Sequence, residues 1–117
     1  MPVRVLLVDD DDAFRRSAAQ VLAERGYEVV CQASTIAEAR AGVLELRPDA
    51  LLLDVNLPDG DGVAFAMELT SDGGPLRVLL TSTDSSAVTR RLLDRSGAVG
   101  FVAKADLMGG DLRSHLG

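Results

Sequence analysis

Four apolar stretches of this sequence end in side chains that can do chemistry. VRVLLV at 3–8 runs into Asp9 and Asp10, and DALLLD at 49–54 closes on Asp54. RVLLT at 77–81 ends in Thr81, followed by Ser82 and Thr83, and GFV at 100–102 is followed by Lys104. Three carboxylates brought to one edge repel one another, and a hard divalent cation relieves that repulsion. An all-oxygen set without His or Cys points to Mg2+, with Mn2+ the other candidate, rather than zinc. A lysine beside the cluster pairs with a carboxylate or with an incoming anion, and a strand-end hydroxyl donates to the same anion. Such an ensemble suits phosphoryl transfer onto an aspartate, which depends on positioning and on neutralising phosphoryl oxygens. Asp54 is then the nucleophile and the product is an acyl phosphate.

These residues must be carried by elements that converge. The runs Val3–Val8, Tyr27–Ala33, Asp49–Asp54, Arg77–Thr81 and Gly100–Val102 read as buried strands. Between them lie helical patterns. Asp12–Arg25 carries Phe14, Ala18, Val21, Leu22 and Arg25 at three- and four-residue spacing, with Gly26 as its stop. Ser34 or Thr35 caps a helix through Leu46 that Arg47-Pro48 ends. Val63–Leu69 and Ser85–Arg95 give two more, and Asp106–Leu116 the last, weakened by Gly109-Gly110. Leu57–Gly62 and Ser71–Pro75 read as loops, with Asp59 and Asp61 as turn formers. Five strand–helix units imply a doubly wound α/β fold, a five-stranded parallel sheet with helices on both faces. In such sheets ligands gather at the carboxyl ends of the strands, which is where the reactive residues fall.

With 117 residues, one domain spanning 1–117 is expected. The 12 basic and 18 acidic residues leave a formal charge of −6. That balance is wrong for a domain holding nucleic acid through its phosphates. At 3% aromatic residues and no Trp, base-stacking platforms are not expected either. No apolar run reaches the roughly 20 residues of a membrane span, and no basic leader or small-residue cleavage site follows Met1. Cys31 is the single cysteine, expected as a small buried apolar residue, so a reducing cytoplasmic setting is expected. Asp11 and Asp12 read as acids at a helix N-terminus. His115 lies off every motif.

VLLVDD at 5–10, LLLDVNLPDGDG at 51–62, LLTST at 79–83 and GFVAK at 100–104 together resemble the receiver domain of two-component response regulators. The separations Asp10–Asp54, Asp54–Ser82 and Ser82–Lys104 are 44, 28 and 22 positions, which fit that family. The resemblance covers essentially the whole chain and implies a flavodoxin- or CheY-like sheet of order 2-1-3-4-5. It implies that Asp9 and Asp10 bind Mg2+, that Asp54 is phosphoacceptor and third ligand, and that Asn56 offers a backbone carbonyl to the metal. It implies that Ser82 is the switch hydroxyl, that Lys104 pairs with a phosphoryl oxygen, and that Phe101 is the aromatic that rotates inward on activation.

The implied function is a phosphorelay switch. A sensor histidine kinase or histidine phosphotransfer protein donates to Asp54, and conformation changes around helix 4, strand 5 and helix 5. The domain catalyses its own phosphorylation and dephosphorylation and is not a classical enzyme. Asn56 and Asp84 flank the site and are candidates to orient the hydrolytic water. Homodimerisation is compatible with the family. Ala105 stands where many receivers have proline after the lysine, so a trans Lys104–Ala105 peptide is expected. Thr83 stands where alanine is frequent, and the last helix is short.

Three other readings are weaker. Asp9-Asp10-Asp11 superficially matches the Asp-x-Asp of haloacid-dehalogenase-like phosphatases, which need a larger core and a cap. Turnover of a generic phosphomonoester would separate the two. A flavodoxin-like cofactor carrier needs an anion-binding turn after the first strand, where this chain has four aspartates. A pseudo-receiver that only binds partners would lack site residues that this chain retains.

Overall fold

The apolar runs form the strands expected of them, with boundaries moved by a residue or so. The computed structural model describes every residue except Met108 and Asp111. In chain order the elements are β1 (Arg4–Val8), α1 (Asp12–Glu24), β2 (Glu28–Ala33), α2 (Ile36–Leu46), β3 (Ala50–Asp54), a hairpin of β4 (Asn56–Leu57) and β5 (Gly60–Asp61), α3 (Gly62–Thr70), β6 (Arg77–Ser82), α4 (Arg90–Ser96), β7 (Gly100–Ala103), α5 (Lys104–Leu107) and α6 (Arg113–Leu116). The five long strands form one sheet in the order β2-β1-β3-β6-β7, all neighbours parallel. This is the doubly wound order expected from the sequence.

Strand alternation sorts the core into two layers. Leu6, Val8, Leu51, Leu53, Val78 and Leu80 face Ile36, Ala39, Val63, Phe65 and Ala66, from α2 and α3. Val5, Leu7, Leu52 and Leu79 face Ala18 and Leu22 of α1 and Leu107, Leu112 and Leu116 near the C-terminus. β1 and β3 are covered on both faces, which is why VLLV and ALLL carry no polar alternation. Each buried Leu contributes about 1.5–3 kcal/mol, so the centre of the sheet is the rigid part from which the site projects.

Helix ends follow local chemistry. Asp11 caps α1, accepting from the N–H groups of Ala13 and Phe14. Gly26, at φ 91°, follows it in the left-handed region. Thr35 rather than Ser34 caps α2, and Glu38 reaches back to the Ser34 N–H at 2.9 Å.

Four expectations are corrected. The fourth helix starts at Arg90, not Ser85. Asp84 takes hydrogen bonds from the Ser86 N–H and hydroxyl, a local turn that competes with helix, and Thr89 then caps by accepting from Leu92 N–H. The expected last helix is two four-residue helices, Lys104–Leu107 and Arg113–Leu116, on either side of Gly109-Gly110; Met108 and Asp111 of that expected helix lie outside the described residues. The loop expected at 57–62 holds the β4–β5 hairpin. Cys31 is only half-buried on edge strand β2. His115 packs its ring over Gly100, where a Cβ would lie 2.6 Å from it. Among the described residues no helix is long and apolar enough to cross a membrane.

Candidate functional site

The carboxyl ends of β1, β3, β6 and β7 bring the expected residues together. Asp9 leaves β1 and is buried, and its N–H continues toward β2 by donating to the Ala33 carbonyl at 3.0 Å. Asp54 is the last residue of β3 and is also buried, paired in register with Thr81. Asp10 is exposed. One oxygen from each of Asp9, Asp10 and Asp54 lies within 4.8 Å of the other two.

Lys104 follows β7 directly and reaches back over the sheet edge. Its Nζ lies 2.7 Å from Asp9 Oδ2 and 3.2 Å from Asp54 Oδ2, with 11% of the side chain exposed. Among the described residues no peptide bond is cis, so Lys104–Ala105 is trans as expected. Asp9 Oδ1 accepts from Asp11 N–H at 2.9 Å. Asp9 Oδ2 is buried without an aligned hydrogen bond, and the ammonium is its close partner. Asp54 Oδ1 accepts from Asn56 N–H at 3.1 Å.

Electrostatics follow from this packing. Burial pushes the Asp54 carboxyl above the ordinary carboxylate range; the Asn56 N–H opposes the rise, Asp9 adds to it, and Lys104 opposes it. Burial alone would lower the Lys104 ammonium, but its pairing with Asp9 and Asp54 outweighs that and raises it. Three carboxylates and one ammonium leave an excess of negative charge in a partly dry site. All available donors are oxygens, and one buried oxygen of Asp9 lacks an aligned hydrogen bond. Such a donor set fits a hard divalent cation.

The two strand-end hydroxyls face different layers. Thr81 shares the alternation of Leu79 and lines a small void with Asp9, Phe14 and Arg15 on the α1 side. Ser82 shares the alternation of Leu80, which pairs in register with Phe101. Ser82 is fully buried, and its Oγ accepts from Asp84 N–H at 3.1 Å. Phe101 is half-buried against the α2–α3 layer. Asn56 sits exposed on β4, and Thr83 is exposed beyond β6.

Sequence reading missed two residues that build the site and the tie that a third makes to a neighbouring helix. Arg15 donates to the Asp9 carbonyl at 2.6 Å and pairs with Asp12 at 2.6 Å, tying α1 to the tail of β1. Gly62 donates its N–H to the Val55 carbonyl at 2.8 Å, and a Cβ there would collide with the Asp54 carbonyl oxygen. Its place at the end of the PDGDG turn was the available signal, although the turn alone does not show what approaches it. Asp59 lies in the turn between β4 and β5 as expected, and it also accepts from the N–H groups of Ile36 and Ala37 at 2.8 and 3.0 Å, covering the start of α2. Asp61 caps α3 through Val63 N–H.

Comparison with known proteins agrees with this geometry. The chain is 42% identical over 113 residues to the DNA-binding transcriptional activator DevR/DosR of Mycobacterium tuberculosis, covering 94% of this chain and 51% of that protein. Among solved structures it resembles a two-component response regulator of the LuxR family from Aurantimonas sp. SI85-9A1, with TM-score 0.81, 27% identity, and coverage of 90% of this chain and 76% of that one. It also resembles a CheY-like response regulator receiver domain protein from Methanospirillum hungatei JF-1, with TM-score 0.79, 26% identity, and coverage of 93% and 90%. The chain spans about half the length, or less, of the curated relatives it matches. A family model described as the response regulator receiver domain matches residues 5–112, and the chain belongs to that family of two-component signalling domains.

Proposed function

We propose that residues 1–117 form one receiver domain that accepts a phosphoryl group on Asp54 and uses it to change shape. The observation that carries this reading is the bridge of Lys104 between Asp9 and Asp54, in the cluster that Asp10 completes. It holds a carboxylate at a sheet edge with a cation already poised for charge that arrives there.

Asp9, Asp10 and Asp54 would hold Mg2+, or Mn2+ in its place, with the Asn56 carbonyl as a further ligand. When bound, the cation supplies neutralising charge for phosphoryl oxygens. In the acceptance step an Asp54 carboxylate oxygen attacks phosphorus in line. The P–N bond to a histidine of a kinase or phosphotransfer partner breaks, and the imidazole leaves with the bonding pair. Lys104 shifts its pairing toward a phosphoryl oxygen and limits repulsion from Asp9. In the hydrolytic loss, water attacks phosphorus, Asp54 leaves as carboxylate, and the water's proton is released, giving inorganic phosphate. Asn56 and Asp84 flank that path. Asp84 is occupied by the Ser86 N–H and hydroxyl, so orienting a water there requires that local turn to open.

Ser82 is the hydroxyl that follows the new oxygens. It accepts from Asp84 N–H, which leaves its own proton free to donate. Its movement vacates space on the face it shares with Phe101. The resulting population shift remodels the surface of α4, β7 and the short helices that follow. The setting is cytoplasmic, and homodimerisation through that surface is compatible with the reading. The acidic balance argues that this domain does not itself hold nucleic acid.

The test is intact-protein mass after incubation with acetyl phosphate and Mg2+, beside an Asp54→Asn control. One phosphate on the parent only, absent when the metal is chelated beforehand, is the expected result. Equal labelling of both proteins, or failure to label alongside failure to bind beryllofluoride, overturns it.

A further inference from the structure

Lys104 is the only lysine in the chain, whose other cationic side chains are eleven arginines. Its Nζ lies over the Phe14 ring, 4.7 Å from the ring centroid, while it bridges the two carboxylates. Phe14 belongs to the first turn of α1 and is half-buried. The Asp11 cap fixes its backbone, since Phe14 N–H donates to Asp11 Oδ1 at 3.2 Å. Next to the ring is a void of about 10 Å3 that Asp9, Arg15, Ala18 and Thr81 also line. That volume is at the lower limit for one water.

A lysine side chain is flexible, and its ammonium is strongly hydrated. Two carboxylates alone would allow it to swing outward and pair through water. An aromatic face adds a further attraction for the ammonium, stronger where water is excluded. We propose that Phe14 is a positioning residue for Lys104: its ring holds the ammonium over Asp9 and Asp54 and closes the α1 side of the site to water. The inference rests on the proposed role of Lys104 in phosphoryl acceptance, but the contact itself can be tested without any phosphate.

The test uses protein labelled with 13C and 15N at lysine only, which gives a single side-chain spin system. Parent, Phe14→Leu, Phe14→Met and Phe14→Tyr proteins are compared, with two aliphatic variants so that one failing to fold leaves the other. In the parent the Lys104 Cε protons are expected to be inequivalent and shifted upfield, and the Nζ protons protected from exchange. In the aliphatic variants Nζ exchange accelerates toward that of free lysine, and Phe14→Tyr restores protection. With acetyl phosphate and Mg2+, the aliphatic variants lose between about 2-fold and about 30-fold in labelling rate at saturating donor, the range set by one cation–π contact. Half-saturation moves less, and Phe14→Tyr recovers the rate. Unchanged Nζ protection in the folded aliphatic variants overturns the proposal, as does a Tyr variant as impaired as they are. If the parent neither takes phosphate nor binds beryllofluoride, the functional reading fails, and the exchange data alone decide whether Phe14 positions Lys104.

Discussion

Lys104 Nζ lies closer to Asp9, at 2.7 Å, than to Asp54, at 3.2 Å. The ammonium therefore sits against the Asp9 oxygen that lacks an aligned hydrogen bond, in a carboxylate that is a candidate metal ligand. Lysine and divalent cation compete for the same charge. Lys104→Ala removes the competitor and leaves buried carboxylates uncompensated. The expected outcome is a domain less stable without metal, with Mg2+ affinity raised several-fold and its stability largely recovered on adding Mg2+. Calorimetric titration and melting with and without Mg2+ read both effects. Weaker Mg2+ binding in the variant would show that Lys104 supports the metal site and does not compete with it.

Gly62 bears on the same site from below. Its close approach to β3 leaves no room for a side chain: a Cβ would collide with the Asp54 carbonyl oxygen and lie 2.7 Å from Val55 Cα. Backbone cannot yield as a flexible side chain can, so Gly62→Ala must shift the start of α3 or the tail of β3. An overpacked site of this kind costs about 1–3 kcal/mol. Chemical denaturation is expected to show that loss, and labelling of Asp54 is expected to slow. Full stability together with full labelling would refute the assignment of Gly62 to site geometry.

Much of this arrangement is written locally in the chain. VRVLLV, DALLLD and RVLLT are apolar enough to require burial on both faces, and their acids and hydroxyls fall at the ends that a parallel sheet aligns. That is why Asp9, Asp54 and Lys104 are legible as one cluster in the sequence. What was not legible depends on distant approach or on local competition. Asp59 meets α2 across 23 residues of sequence. The Phe14–Lys104 contact joins the first helix to the end of the last long strand. The delayed start of α4 arises because Asp84 and Ser86 satisfy one another before a helix can form. The helical period of Ser85–Arg95 contains no sign of that.

Thr81 and Ser82 are separated by the sheet itself. Thr81 lines the α1 side with Asp9 and Phe14, whereas Ser82 lies on the face of Phe101. Ser82→Ala is therefore expected to permit labelling of Asp54 but to uncouple it from Phe101, while Thr81→Val retains the coupling. Phenylalanine-selective NMR labelling, with and without beryllofluoride, reads the environment of Phe101 in each variant. A Phe101 response that survives Ser82→Ala and disappears in Thr81→Val would reassign the switch to Thr81.

The cap that Asp59 places on α2 predicts how stability responds to acid. Hydrogen bonds from the Ile36 and Ala37 N–H groups hold its carboxyl below the ordinary aspartate value of 3.8, with burial opposing them. The native carboxylate thus binds a proton less readily than the unfolded one. In that window the unfolded chain carries more protons, and stability rises with pH. The contribution of Asp59 is therefore fully present above the unfolded value and is lost as pH falls through the lower native value. Asp59→Asn keeps one acceptor oxygen and removes the charge. Its melting temperature is expected to lie below that of the parent at neutral pH, with the gap closing as the solution is acidified. Glu38, also depressed at this helix end by its bonds to Ser34, titrates in both proteins and largely cancels in the difference. A gap that stays constant across the acid range would mean that Asp59 acts through shape alone, and that its charge at the start of α2 contributes nothing.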